Sequence, residues 1–502
     1  MNDLADGASA FSAPSRSYAA LGLVLVAAVV VAILLPTQAV LAAFGVLILG
    51  ALLVRAHHDT ALAILVLLLV MALIPAPLVI PELGSLGTPT TLIGLAAGGL
   101  WFVAWISSRD APTYADGYRP IPILLGVWLA SNTASYLVAS MRAKDGLEAS
   151  AADRGMITML ASIGIALLVA ETVPSRERVD AIVRVAVLAV TFIALVGILQ
   201  FATGVDLAAS IQIPGLSRSG GALSVTERSI FRRVAGTTMH PIEFGVVICL
   251  VIPLAIHLVM HHSRRWIVAL AILGVALPMS VSRTAVVGVV AAALVLVPGW
   301  PRKVRHRVYG GAVFYLVAVR LLIPGLLGTI RALFVDAPAD PSINSRESDY
   351  EFVSRFVAEN PLFGRGFSTF IPSKFDFLDN QYLLSLVETG LVGVLALLTL
   401  IIGGIFTARS VRRRTDNDVD RDLAQALAAS LAVVAATSLA FDYLSFPSAR
   451  ILMFVVLGCV GALWRLVPYR APRNSSTNRL AERSPEGGES SVGLTIIGST
   501  GL

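Results

Sequence analysis

Residues 185–203 read VAVLAVTFIALVGILQFAT, a run of 19 residues without a single charged side chain. A helix of this length covers roughly 30 Å, which is the thickness of the hydrocarbon core of a bilayer. Comparable apolar runs recur along the whole chain. Because lipid offers no hydrogen-bond partners, each run must satisfy its own backbone amides and is therefore predicted to be a transmembrane helix.

The composition of the whole chain supports the same class. Of 502 residues, 56% are hydrophobic and 14% are charged, whereas soluble globular proteins carry about 25% charged residues. Much of the surface must therefore face lipid. The net charge of +6 is explained by Arg and Lys retained on the cytoplasmic side, so no nucleic-acid partner is predicted.

Basic residues alternate between successive connections. The connection with Arg264 and Arg265 is basic, for example, whereas 36–39 and 81–90 contain no Arg or Lys. This bias places both termini in the cytoplasm and requires an even number of spans. We predict fourteen spans, at about residues 18–35, 39–54, 61–80, 91–107, 120–140, 155–172, 179–202, 241–260, 266–281, 284–299, 310–329, 383–407, 423–441 and 447–467.

The spans divide the chain into five parts, and the first span is predicted to be a retained anchor and not a cleaved signal. The predicted fold class is an all-α, polytopic membrane helical bundle of about fourteen helices with a large extracytoplasmic loop containing short helices. The parts are a cytoplasmic tail (1–17), eleven spans (18–330), the extracytoplasmic loop (331–382), three spans (383–468) and a disordered cytoplasmic tail (469–502).

Among the arginines on the predicted outer side, against the positive-inside bias, Arg283 and Arg346 are the main candidates for a function. Arg283 lies between two apolar runs in SVSRTAVVG, and its guanidinium could hold a phosphate bidentately. It could equally extend toward lipid headgroups. Arg346 begins a predicted amphipathic helix in the large loop, where its charge opposes the helix dipole. It is there either for an anionic ligand or simply as a solvated side chain.

Acidic residues stand near the same boundary. Asp379, where the large loop re-enters the membrane, could accept a proton from a hydroxyl nucleophile or could cap the following helix. Glu388 should face the interior of the bundle, because a carboxylate facing lipid is costly. Arg232 and Arg233 could add positive potential to the cavity or pair with acidic neighbours such as Glu243.

Two segments have spacings typical of metal sites, but neither is predicted to bind a metal. The segment 415–422, TDNDVDRD, resembles a calcium loop, but Arg421 replaces the required glycine. His257, His261 and His262 have a spacing that could bind a metal, but the pattern favours a polar terminus that complements the helix dipole.

Four segments, in this order, resemble the O-antigen ligase and O-antigen polymerase superfamily of membrane glycosyltransferases. Together they cover roughly residues 231–400. The segments are FRRVAGTTMHPIEFG (231–245), SVSRTAVVG (280–288), SRESDYEFVSRFVAENPLFGRGFSTF (345–370) and DNQYLLSLVETGLVG (379–393).

The resemblance implies a GT-C-like bundle in the cytoplasmic (inner) membrane, acting on its outer face without a cofactor or an essential metal. The donor would be a polyprenyl diphosphate-linked oligosaccharide and the acceptor a glycan or a lipid. Arg283 and Arg346 would grip the diphosphate, and Asp379 stands where ligases of this group commonly have a histidine base. Further substrate contacts are expected from Arg232, Arg233, His240, Arg365, Asn380, Tyr382 and Glu388.

Two other functions remain open from the sequence. Fourteen helices are common in transporters, including flippases of lipid-linked glycans, but transporters usually show internal repeats and binding groups near the bilayer midplane. A peptidoglycan polymerase of the shape, elongation and division type is the other. The candidate groups collect at the outer boundary, which favours a glycosyltransferase that polymerises or ligates glycan.

Overall fold

A computed structural model describes residues 59–107, 118–142, 145–219, 225–228, 231–322, 353–375 and 377–467, with Gly325 and Gly328. The first two predicted spans and both predicted tails lie outside these residues. So do Arg346 and the predicted start of the loop helix.

Twelve long helices lie within the described ranges, and each overlaps one of the twelve spans predicted from residue 61 onward. They are α1 (Ala61–Leu73), α2 (Pro89–Ser107), α3 (Pro120–Ser140), α4 (Gly146–Thr172), α5 (Arg176–Thr203), α6 (Pro241–His261), α7 (Trp266–Ala276), α8 (Arg283–Leu296), α9 (Arg302–Leu322), α10 (Gln381–Arg414), α11 (Asp418–Thr437) and α12 (Pro447–Leu466).

Seven of the described helices are long and apolar enough to cross a membrane, namely α2, α3, α4, α5, α6, α10 and α12. Helices α1, α7 and α8 are apolar but shorter. The protein is thus a multi-pass, all-α membrane bundle, as predicted. Helix α4 begins at Gly146, nine residues before the predicted span, because hydropathy marks only the apolar part of a helix that extends into a polar region.

Among the described residues, two short antiparallel strand pairs lie at one end of the bundle. Strand β1 (Leu78–Val79) pairs with β2 (Ser217–Arg218), with Leu78 opposite Arg218. Strand β3 (Val225–Arg228) pairs with β4 (Phe231–Val234), with Val225 opposite Val234.

Helices α6 and α12 lie at the centre of the bundle, where most of their residues are buried. Small residues allow close packing between α12 and α4. A Cβ atom added at Gly458 would lie 2.5 Å from the Cβ of Val169, so glycine is required for this approach. Close contact of this kind stabilises helices in a membrane, where lipid removes most of the hydrophobic driving force.

The segment before α6, the turn before α8 and the loop between α11 and α12 lie at the same end of the bundle, which we call the site end. The Thr237 hydroxyl donates to the carbonyl of Ala72, at the end of α1 (2.9 Å). Nearby, Arg233 reaches the carbonyl of Ser280, just before α8 (3.2 Å). The residue after Arg283, Thr284, in turn contacts the loop between α11 and α12.

Candidate active site

Arg283 is the first residue of α8 and follows a tight turn. Val281, in that turn, has a φ of 43°, a left-handed conformation that is strained for a β-branched residue. The side chain of Arg233, which is 8% exposed, donates from Nε to the carbonyl of Ser280 at 3.2 Å. Arg233 therefore holds the turn that presents Arg283 at the site end.

The loop 438–446 between α11 and α12 joins the starts of α8 and α10. The Thr284 hydroxyl donates to the carbonyl of Ala440 at 3.3 Å. The backbone amide of Gln381 donates to the carbonyls of Ser438 (2.9 Å) and Phe441 (3.3 Å). Arg283 and Asp379, which were predicted to act together, thus flank the same loop.

Asn380, and not Asp379, caps α10. The Asn380 side chain accepts hydrogen bonds from the amides of Tyr382 (2.9 Å) and Leu383 (3.2 Å). The capping alternative for Asp379 is therefore wrong by one residue, and Asp379 is exposed at the mouth of the site. The Tyr382 hydroxyl donates to the carbonyl of Ala435 at 2.9 Å, so Asn380 and Tyr382 both help to fix the start of α10.

Asp442, in the loop 438–446, was missed by the sequence reasoning. Burial and the negative charge of Asp379 raise the pKa of Asp442 to about 7. Two neighbouring carboxyl groups, one of which titrates near neutrality, can exchange protons with a reacting hydroxyl. The only signal in the sequence was an acidic residue between two apolar runs.

Glu243 is fully buried and accepts three backbone hydrogen bonds. The donors are the amides of Met239 (2.7 Å), Ser448 (2.7 Å) and Ala449 (3.2 Å). Ser448 and Ala449 belong to the first turn of α12, so the carboxylate of Glu243 satisfies free amides at the N-terminus of that helix. Its position ties α6 to α12 at the site end.

His240 caps α6. Its Nδ1 accepts a hydrogen bond from the amide of Ile242 at 3.1 Å, and its ring lies 6.0 Å from that of Phe446. Burial and the positive charge of Arg233 lower the pKa of His240 to about 4, so the imidazole is neutral at physiological pH. This residue borders the loop that carries Asp442.

Helix α10 is broken at Gly390, where φ is 65° and ψ is −166°. The PLFGRGF segment (361–367) docks against this break through Gly364, whereas Gly366 lies against Ala139 of α3. A Cβ atom at Gly364 would lie 2.4 Å from the carbonyl carbon of Glu388. Four backbone hydrogen bonds join the segments: Arg365 N to Val387 O, Gly366 N to Glu388 O, Leu391 N to Pro361 O and Val392 N to Leu362 O.

The side chain of Glu388 faces the residues that follow the docked segment, because it accepts a hydrogen bond from the amide of Phe370 at 3.2 Å. The preceding short helix, residues 353–359, packs through Val353 and Phe356 against Phe370 and its neighbours. The part of the predicted loop helix that the structure describes is therefore helical and amphipathic.

Arg365 takes part in an ion-pair cluster. Its Nη2 donates to Glu148 at 2.6 Å, and its guanidinium lies 4.6 Å from the centre of the Phe375 ring. Lys374 also reaches Glu148, at 3.0 Å, and contacts Asp145. This cluster anchors the docked segment to the start of α4.

A further guanidinium at the site end comes from Arg450, in the first turn of α12. Its Nη1 donates to the carbonyl of Leu444 at 2.6 Å, and its buried Nε has no hydrogen-bond partner among the described residues. An arginine just inside the apolar run PSARILMFVV was a detectable signal, because such residues are costly in a membrane. The side chain of Arg232 lies outside the described residues.

Comparison with known families bears on this end of the bundle. Residues 267–398 match the family model for O-antigen ligase. The matched region runs from α7 to the middle of α10 and includes Arg283, Arg346 and Asp379. The match confirms the resemblance to the O-antigen ligase and polymerase superfamily over residues 267–398 and supports an O-antigen ligase-like function at the level of the family. No curated protein matches the sequence.

Proposed function

We propose that the chain is a glycosyltransferase that moves a glycan from polyprenyl diphosphate to a hydroxyl acceptor, as a polymerase or a ligase. The reaction takes place at the site end, on the outer face of the cytoplasmic membrane, with both termini in the cytoplasm. One observation carries the proposal. The O-antigen ligase match contains Arg283 and Asp379, and residues beside each of them, Thr284 and Gln381, hydrogen-bond to the loop 438–446.

In the proposed reaction the acceptor hydroxyl attacks the anomeric carbon of the donor sugar. A new carbon–oxygen bond forms as the bond to the diphosphate breaks, and the departing diphosphate keeps the electron pair. Arg283 and Arg346 stabilise the negative charge that develops on this leaving group. Guanidinium groups suit this role because they bind phosphate oxygens bidentately and remain charged.

Asp379 accepts the proton of the attacking hydroxyl. Its exposed position at the mouth leaves it accessible to an acceptor. Asp442, whose pKa is raised to about 7 partly by Asp379, is the neighbouring group with which that proton can be shared.

The other predicted contacts support these groups. Arg233 and His240 shape the turn before α8 and the start of α6. Asn380 and Tyr382 fix the start of α10, directly after Asp379. Arg365 and Glu388, with Arg232, are proposed to border the path of the acceptor along the docked segment 361–367.

The test is reconstitution of the purified protein in vesicles with a polyprenyl diphosphate-linked oligosaccharide. We expect release of polyprenyl diphosphate by the wild type, and loss of at least about 100-fold of this activity in Arg283→Ala and in Arg346→Ala. Arg264→Ala, an exposed residue in the α6–α7 connection, is the matched control and should retain activity.

The products separate the possible functions. Longer glycans indicate a polymerase, and glycan moved to a different acceptor indicates a ligase. Unchanged donor on the far leaflet would instead indicate transport and would contradict the proposal. Full activity in both arginine variants would show that Arg283 and Arg346 do not bind the diphosphate.

A further inference from the structure

His257 and His261, on the last turns of α6, lie against Asp422 in the first turns of α11, at the end of the bundle opposite the site end. His257 Nδ1 is 3.0 Å and His261 Nε2 is 3.3 Å from the same carboxylate oxygen, Asp422 Oδ2. One nitrogen from each ring and one oxygen of Asp422 all lie within 4.8 Å of one another.

These spacings suit a metal ion. Two ligand atoms about 2.0–2.1 Å from a tetrahedral Zn²⁺ are about 3.3 Å apart, close to the observed distances from Asp422 to the two rings. We propose that His257, His261 and Asp422 bind one divalent transition-metal ion, with Zn²⁺ as the ion that fits this ligand set best, and that the ion fastens α6 to α11.

Two further observations support the site. The ring of His257 is completely buried, and its Nε2 has no hydrogen-bond partner in the part of the chain that the structure describes. Nε2 of His261 lies near the Asp422 carboxylate but makes no hydrogen bond to any described residue. An imidazole nitrogen without a hydrogen bond in such a place costs free energy, and a metal ion would satisfy the lone pair of His261 Nε2. His257 would bind through Nδ1, the nitrogen that faces Asp422 at 3.0 Å.

The surroundings of Asp422 also resemble the support that metal ligands need. Its second oxygen, Oδ1, accepts a hydrogen bond from the indole Nε1 of Trp300 at 3.4 Å, which orients the carboxylate. The nearby cation Arg176 is already held by Asp180 (2.5 Å) and Asp420 (2.6 Å). His262 Nε2 lies 3.6 Å from Asp180, and the centre of its ring lies 5.9 Å from that of His257.

The metal would act on the helices that frame the active site without entering it. Helices α6 and α11 are already joined in the middle by the hydroxyl of Ser430, which donates to the carbonyl of Leu250 at 2.7 Å. At the site end α6 begins beside His240, and α11 leads into the loop 438–446. A metal at the opposite end would fix their relative position along most of their length.

The experiment uses the full chain, purified in detergent and stripped of metal with a chelator. Zn²⁺ binding is measured by calorimetry, and Co²⁺ serves as a spectroscopic probe of four-coordinate geometry. We expect one ion per chain and visible Co²⁺ absorption. His261→Gln should weaken binding by at least about 10-fold, and saturating Zn²⁺ should raise the apparent melting temperature of the wild type but not of this variant.

His261 is only partly buried, so His261→Gln should fold, and size-exclusion chromatography checks this. Asp422→Asn is the second ligand variant and should also bind weakly. His262→Gln is the matched control and should bind like the wild type. The proposal is overturned if the stripped wild type shows no saturable binding, or if His261→Gln and Asp422→Asn bind Zn²⁺ as tightly as the wild type. Equal weakening in His262→Gln would also overturn it.

Discussion

Replacing Gly390 with alanine tests how the structure builds the re-entry of the chain into the bundle. Gly390 has φ 65° and ψ −166°, a conformation that is essentially restricted to glycine and costs other residues about 1–3 kcal/mol. An added Cβ would also lie 2.3 Å from the carbonyl oxygen of Leu362 and 2.6 Å from the amide nitrogen of Gly364. Both neighbours are backbone atoms and have no rotamer to change.

Relief of this overlap requires the segment 361–367 to move away from α10. Such movement breaks at least the hydrogen bonds that Leu391 and Val392 donate to this segment, each of which contributes about 1 kcal/mol. With the backbone strain, we expect Gly390→Ala to lower the free energy of unfolding by about 3–5 kcal/mol. Transfer activity should fall as well, because Glu388 and the docked segment would separate.

The measurement is the apparent melting temperature in detergent, followed by transfer activity on the fraction that remains monodisperse. Gly126→Ala is the control, because Gly126 lies in α3 with no atom within 4 Å of an added Cβ. Alanine there should leave stability unchanged or raise it by up to about 1 kcal/mol. If Gly390→Ala melts with the wild type and keeps full activity, the docking of 361–367 on a broken helix is not what holds this end together.

Two further predictions concern buried carboxyl groups. Glu243→Gln should destabilise the protein by about 1–3 kcal/mol, because the amide retains one acceptor oxygen and turns its NH₂ toward the backbone donors of α12; an unchanged melting temperature would contradict this. The transfer rate of the wild type should rise as the pH increases through about 7, because Asp442 then loses its proton and can accept another. Asp442→Asn should remove this rise. The free energy of unfolding of the wild type should fall as the pH rises from about 4 to 7, because the native protein holds a proton there that the unfolded chain has lost. Asp442→Asn should not show this fall. Identical pH profiles in the variant and the wild type would show that Asp442 does not titrate in this range.

The positions of the helices followed closely from hydropathy, and the reason is physical. A span must be apolar over about 20 residues, so its centre is visible in the sequence, whereas its ends are not. The sequence did not show that α10 extends over 34 residues to Arg414 and is broken at Gly390. The break depends on hydrogen bonds to the segment 361–367, about 25 positions earlier, and local composition does not reveal such a contact.

The site was predicted less completely than the fold. Arg283 and Asp379 were predicted as site residues because a charge at a membrane boundary stands out against apolar neighbours. Asp442 and Arg450 carry the same signal, but without a matching motif they resemble ordinary loop and helix-end residues. His257 and Asp422 are 165 positions apart in the sequence, so their contact could not be predicted from local spacing. The spacing of the histidines within α6, taken alone, favoured a polar helix end.

The charges at the site end explain why a carboxyl group that keeps its proton would be useful there. A diphosphate placed near Arg283 would bring negative charge toward Asp379 and Asp442, and like charges raise the pKa of a carboxyl group. The pKa of Asp442 is already about 7, so donor binding should favour its protonated form and limit repulsion of the incoming phosphate. Departure of the diphosphate would reverse that effect and let the proton leave. Asp442→Asn, which is neutral throughout, should therefore bind the donor at least as tightly as the wild type at about pH 8 while turning over more slowly. Weaker donor binding in this variant would show that Asp442 contributes through a contact and not through its charge.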